Sequence, residues 1–342
     1  MLERHEFICP APIRLEAGGS IEQADLVYYT SPRPYKRGEK VIWICHALTG
    51  NADPEDWWPQ MVGDGNMIDP QKHYIVCGAM LCSAYGKCGP AATNPATGKP
   101  YLLDFPLVTI RDMVKALTLV REHIGIETID LLIGPSIGGY VAYEWSIIEA
   151  ERIRHAAFIA TTSRVHPYFT AFTETQRMAL EADPTFRQAR SIDGGREGLR
   201  CARAIALISY RYMDGYNSTQ MEKDEDFLFA ERVASYQRHQ GDKLVQRDFD
   251  AYSYWYLSKA MDSQNPGRGR GGMDAALGSI KARCTVINIC SDQIFPAHLG
   301  REDAEKIPDS EFFEIRSSFG HDGFLIENDQ LQAILGPVLE TL

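Results

Sequence analysis

Residues 129–139 read Ile129-Asp130-Leu131-Leu132-Ile133-Gly134-Pro135-Ser136-Ile137-Gly138-Gly139. An apolar run ends in Gly-x-Ser-x-Gly, and a helix-like stretch, Tyr140 to Glu149, follows at once. Strand, sharp turn and helix in that order make a nucleophile elbow. The turn holds the serine in a strained backbone conformation, and Gly134 and Gly138 leave room for it. Its hydroxyl projects at the N-terminus of a helix, where partial positive charge favours an oxyanion formed by attack. With 28 glycines in the chain the pattern alone is weak, so the decision rests on its context.

Working outward, strands are expected at Leu26–Thr30, Val41–Cys45, His73–Ala79 and His155–Ala160, with a helix over Thr109–Ile124. Strands alternating with helices argue for an α/β fold, a mainly parallel sheet covered on both faces. The second strand runs into His46-Ala47-Leu48-Thr49-Gly50, a loop placed to supply a second oxyanion donor. His46 reads as a structural histidine packed beneath that loop. A long loop, Leu81 to Phe105, is rich in Gly, Pro, Asn and Thr, and loops of this length usually carry function or disorder. After Thr162 the character changes. Phe169–Ala182, Gly195–Arg211, Asp226–Gln240 and Ala251–Asp262 are amphipathic, with no clear strand among them. They are expected to form a helical lid over 168–272, inserted between core segments 1–167 and 273–342, with Gly267-Arg268-Gly269-Arg270-Gly271-Gly272 as its exit hinge. The sheet resumes at Cys284–Cys290 and Glu311–Ile315.

Each of the last two strands leads into a loop bearing a chemically apt residue, Asp292 in the first and His321 in the second. Taken singly, Asp292 reads as a helix cap and His321 as a surface residue. With Ser136 they complete the order serine, acid, histidine, the chain order of α/β-hydrolase triads.

Composition bounds the alternatives. The chain of 342 residues is 44% hydrophobic and 24% charged, a globular composition with material for a large core. A net charge of −11 disfavours nucleic acid, which needs a basic face. No run of 18 apolar residues predicts a membrane span. The start, Met1-Leu2-Glu3-Arg4-His5-Glu6, carries no apolar signal segment, so a cytoplasmic location is expected. Eight scattered cysteines lack zinc spacing, and reduced thiols are the expectation.

On these residues the chain resembles the homoserine O-acetyltransferase (MetX-type) branch of the α/β-hydrolase superfamily. The resemblance runs through His46–Gly50, Asn94–Tyr101, Asp104–Pro106 and Arg111-Asp112. In the lid it covers Gly195–Leu199, Ile208–Arg211, Tyr236–Lys243 and Phe249–Ala251, and it ends in the Asp292 loop and Gly320–Phe324. The lid stretches are the most telling, because generic hydrolases lack them. The elbow departs from the family's Gly-Gly-Ser-Met-Gly-Gly, with Pro135 and Ile137 in place of Gly and Met. The mechanism tolerates this, since the donor at Ile137 is a backbone N–H.

The resemblance implies acetyl transfer from acetyl-CoA to the hydroxyl of L-homoserine, towards methionine, through an acyl-enzyme on Ser136 with His321 as base and Asp292 orienting it. Backbone N–H groups of Leu48 and Ile137 would form the oxyanion hole. Arg203 and Tyr210, seven positions apart on one helix face, match the family positions that hold the amino-acid substrate, and Asp322 matches the one that takes its ammonium. No metal and no resident cofactor are implied; acetyl-CoA enters as a co-substrate, with Arg268 and Arg270 as candidate cations for its phosphates. A homodimer through the lid is implied by analogy. Succinyl in place of acetyl, serine in place of homoserine, a plain esterase and a non-catalytic binding protein on the same fold remain open readings.

Overall fold

In the computed structural model, which describes residues 1–342, Ile129–Pro135 is a strand buried along its whole length. Burial on both faces is why it reads as a continuous apolar run rather than an alternating one. It lies inside an eight-stranded sheet whose members are β1 (Glu3–Ile8), β2 (Asp25–Thr30), β3 (Val41–Ile44), β4 (Tyr74–Gly78), β5 (Ile129–Pro135), β6 (Ile153–Ile159), β7 (Arg283–Ile289) and β8 (Ser310–Ile315). The order across the sheet is β1-β2-β4-β3-β5-β6-β7-β8. From β4 to β8 every pairing is parallel, and β1–β2 and β2–β4 are antiparallel. The parallel strands therefore all present their C-terminal ends along one edge, where ligands of such sheets bind.

The sheet separates two hydrophobic clusters. Val41 and Trp43 of β3 point into one of 61 residues, and Ile42 and Ile44 into another of 23, as period-two side-chain alternation requires. The larger cluster takes in α1 (Ile110–Ile124), α2 (Ile137–Ile148) and the interior of the lid. Helix α1 starts where its chemistry dictates. Thr109 Oγ1 accepts from the Asp112 N–H and Asp112 Oδ2 accepts from the Thr109 N–H, a reciprocal cap, and Gly125 ends the helix at φ 84°.

Between β6 and β7 lie α3 (Pro167–Ala182), α4 (Arg196–Tyr210), α5 (Met213–Gln220), α6 (Glu231–Gln246) and α7 (Ala251–Met261), with short helical turns at Pro184–Gln188 and Met273–Leu277. No strand occurs in this stretch. Buried Arg177 of α3 donates to Ser258 O at 2.9 Å and pairs with Asp262 at 2.8 Å, which ties the first lid helix to the last. The two ends of the insertion meet at Ser163, whose carbonyl accepts from Gln264 Nε2 at 2.7 Å. Ser163 N and Oγ donate to Asp303 of α8 (Ala297–Ala304) at 2.6 and 2.5 Å. Burial raises the Asp303 carboxyl to about 6. Helix α9 (Asn328–Glu340) closes the far face.

The expected long loop at 81–105 holds a hairpin, Thr93–Asn94 with Lys99–Pro100, and a tight turn at Leu102–Asp104. No helix in the chain is long and apolar enough to cross a membrane.

Candidate active site

Ser136 sits between β5 and α2 at φ 57°, ψ −125°, a conformation that costs a non-glycine residue about 1–3 kcal/mol. The surroundings hold it there. Ser136 N donates to Ile159 O at 2.9 Å. A Cβ on Gly138 would lie 2.1 Å from Cys45 O, and one on Gly134 would lie 2.3 Å from Gly138 O. Only glycine lets the start of α2 rest directly on the ends of β3 and β5.

The acid and the base arrive on the loops after β7 and β8. Ser136 Oγ is 2.9 Å from His321 Nε2, and His321 Nδ1 is 2.7 Å from Asp292 Oδ2. Asp292 Oδ1 also accepts from the N–H groups of Ile294 and Phe295, both at 2.9 Å. A buried carboxylate satisfied in this way makes Nδ1 of His321 the protonated nitrogen, and the Nε2 lone pair faces the serine hydroxyl. The imidazole is packed between the rings of Tyr210, Phe295 and Phe324, with centroids 5.2–5.6 Å away. The arrangement can draw the proton from Ser136, store it on the imidazole and return it to a departing group.

Ser136 and His321 open into a pocket also lined by Leu48, Arg203, Tyr210, Asp322, Trp57, Arg247, Phe324 and Leu325. Ile137 follows the serine as the first residue of α2, so its N–H is among the N-terminal donors that have no acceptor within the helix. Arg203 and Tyr210 project from α4 on one side, with the guanidinium carbon 5.5 Å from the phenol ring centroid. Arg203 forms no ion pair with any carboxylate of the chain. Burial raises the Tyr210 phenol, and the Arg203 charge partly offsets that. Asp322 is engaged by Arg211 Nε at 2.8 Å.

The end of α4 is docked on both catalytic loops. Gln293, next to Asp292, donates through Nε2 to the carbonyls of Ile208, Ser209 and Arg211 at 3.0–3.3 Å. Gly320, next to His321, lies so close to the lid that a Cβ would meet Tyr210 O at 2.5 Å. Sequence reading missed Gln293, Arg211, Trp57 and Arg247. Arg211 closes an amphipathic stretch and Gln293 follows Asp292 in its loop, but only the docking of distant segments gives these four residues a place at the site.

His46 is fully buried, donating from Nδ1 to Ala47 O at 2.8 Å and accepting the Met80 N–H on Nε2 at 3.0 Å. Burial lowers it to about 4, so it stays neutral and braces the loop that carries Leu48. Arg268 and Arg270 do not line the pocket. Arg268 forms a two-pronged pair with Glu16 at 2.8 and 2.9 Å, and Arg270 pairs with Glu144 at 2.7 Å. Both carboxylates also bind Arg111. The glycine-arginine tract is thus pinned to the core, and its charges are neutralised away from the mouth. All eight cysteines are free thiols, six of them buried, and no cluster of three or more His, Cys, Asp or Glu side chains could hold a metal.

The family described as alpha/beta hydrolase fold matches residues 82–327. A homoserine O-acetyltransferase of Cyclobacterium marinum is 42% identical over 332 residues, covering 96% of this chain and 93% of that one. Among solved structures, homoserine O-acetyltransferase from Bacillus anthracis superposes with a TM-score of 0.89 at 20% identity, covering 99% of this chain and 98% of that one. Esterase E22 superposes with a TM-score of 0.86 at 23% identity, covering 99% of this chain and 100% of that one. A transferase and an esterase thus share the fold almost equally, and backbone likeness alone does not separate them. Identity over nearly the whole length, lid included, does: the chain belongs to the α/β hydrolases and, among them, to the homoserine O-acetyltransferase family.

Proposed function

We propose that the chain moves an acetyl group from acetyl-CoA to the hydroxyl of L-homoserine in two half-reactions. In the first, His321 takes the proton of Ser136 as Oγ attacks the thioester carbonyl, and Asp292 stabilises the imidazolium. The backbone N–H groups of Leu48 and Ile137 receive the oxyanion, and collapse expels CoA, which leaves with the proton. In the second, His321 takes the proton of the homoserine hydroxyl as it attacks the acetyl-serine, then returns it to Ser136 Oγ. The observation that carries this reading over an esterase is Arg203, a guanidinium without a carboxylate partner in the same pocket as Ser136. An ester hydrolase has no need of it, whereas an amino-acid acceptor brings a carboxylate that fits it bidentately. Asp322 takes the acceptor's ammonium, sharing its charge between that group and Arg211.

The chain works as a homodimer through the lid, in the cytoplasm. Exposed apolar side chains on that side support the dimer: Ile208, Met213, Met221 and the run Phe227-Leu228-Phe229 are all more than half exposed.

The test is steady-state kinetics with acetyl-CoA or succinyl-CoA against homoserine or serine. Acetyl-CoA with homoserine should be the best pair, with parallel double-reciprocal lines. Intersecting lines would mean direct transfer in a ternary complex, and turnover without an acceptor at the full rate would mean an esterase.

A further inference from the structure

The pocket around Ser136 holds a second arginine, and its position differs from that of Arg203. Arg247 closes the C-terminal end of α6, on the lid. Its Nη2 is 3.3 Å from Asp56 Oδ2, on the turn Pro54–Trp57 that follows the Leu48 loop. The pair therefore spans the mouth from lid to core. Arg247 is 50% exposed and Asp56 49%, so the guanidinium sits at the rim and not beside the acyl position. An exposed pair of this kind is weak and easily exchanged. Asp56 Oδ2 also accepts from Asn51 Nδ2 at 2.9 Å, so losing Arg247 would not leave the carboxylate without a partner. Beside them Trp57 forms a wall of the mouth, its ring fixed by donation from Nε1 to Asn51 O at 3.0 Å.

We propose that Arg247 binds a phosphate of the acyl donor, and that Asp56 occupies it while the site is empty. The inference rests on the acetyl-CoA reading above. A nucleotide thioester enters acyl end first, which leaves its phosphates at the rim. The chain's net charge of −11 repels such an anion, so a cation at the entrance matters. Of the two arginines lining the pocket, Arg203 stands over Tyr210 on the lid helix that also faces His321, whereas Arg247 alone lies at the rim. A guanidinium grips phosphate through two parallel N–H groups, which a rim carboxylate partner does not prevent.

The experiment is calorimetric binding of CoA and of pantetheine, which lacks the nucleotide and its phosphates, to wild type, Arg247→Ala and Arg247→Lys. Wild type should bind CoA on the order of tenfold more tightly than pantetheine, the scale of one charge-assisted contact at a half-exposed site. Arg247→Ala should narrow that gap to within about twofold by weakening CoA alone, and Arg247→Lys should keep part of it. If Arg247→Ala keeps the full gap, or weakens both thiols equally, the assignment of Arg247 falls while the CoA reading stands. If wild type binds CoA no better than pantetheine, both fall.

Discussion

Arg203 reaches into the pocket from α4 with Tyr210 beneath it and forms no ion pair that would neutralise it. Truncating it to alanine should damage acceptor use and spare acylation. Removing one partner of a shielded charge pair costs about 2–5 kcal/mol, roughly 30- to 4000-fold in kcat/KM for homoserine. The check is the burst of CoA release beside steady-state turnover: the burst should persist while turnover drops, and a joint fall would mean that Arg203 serves folding or donor binding. His46 shows the opposite kind of residue, polar and wholly committed to structure. Its folded pKa, lowered to about 4 by burial, lies below the value of about 6.5 expected when unfolded. Unfolding then takes up a proton between those values, so the neutral histidine's contribution is complete above about pH 6.5 and is lost as pH falls towards 4. Urea unfolding of wild type and His46→Gln across that range should show a shallower pH slope in the variant, by up to about one proton. Equal slopes would mean that His46 is not buried neutral.

At the scale of elements, the elbow is a steric contract between β5, α2 and β3. Gly138→Ala places a methyl 2.1 Å from Cys45 O, a backbone atom just past the end of β3 whose own N–H is tied to Ile133 O. We expect a loss of about 3 kcal/mol or more, read as a fall in thermal midpoint or failure to yield soluble protein. A variant of wild-type stability would show that α2 is not seated on β3. The elbow, the parallel strands and the first lid helix were legible because their patterns are local: apolar runs bounded by turns, and period-3.6 faces. β1 was not, since Glu3–Ile8 is a charged edge strand with little buried face. Helix α9 was hidden by Gly336 and Pro337 inside it. Helix α6 was expected at Asp226–Gln240 and lies at Glu231–Gln246, because the apolar run Phe227-Leu228-Phe229 mimics a buried face and is instead exposed. α5, at Met213–Gln220, is a short segment with a single buried residue, Gly215, and carries no period to read. Of the site, Ser136, Asp292 and His321 were legible through motif and chain order, and Arg203, Tyr210 and Asp322 only through family resemblance. Arg247, Gln293 and Arg211 depend on which segments meet in space, which no local pattern encodes.

At the scale of the molecule, the sheet edge supplies three loops for Ser136, Asp292 and His321, and the lid supplies part of the pocket wall that faces them. The lid is fastened at its root by Ser163, Gln264 and Asp303, and at its far end by Gln293 and Gly320 against the two catalytic loops. This makes the lid side of the pocket and the triad geometry one assembly. The most direct test is intact-mass analysis after brief mixing with acetyl-CoA, followed by addition of homoserine. Wild type should gain one acetyl group mapped to Ser136 and lose it to homoserine, and Ser136→Ala should gain none while keeping the wild-type fold. An acetyl group on a cysteine, or one on Ser136 that homoserine does not remove, would contradict the account.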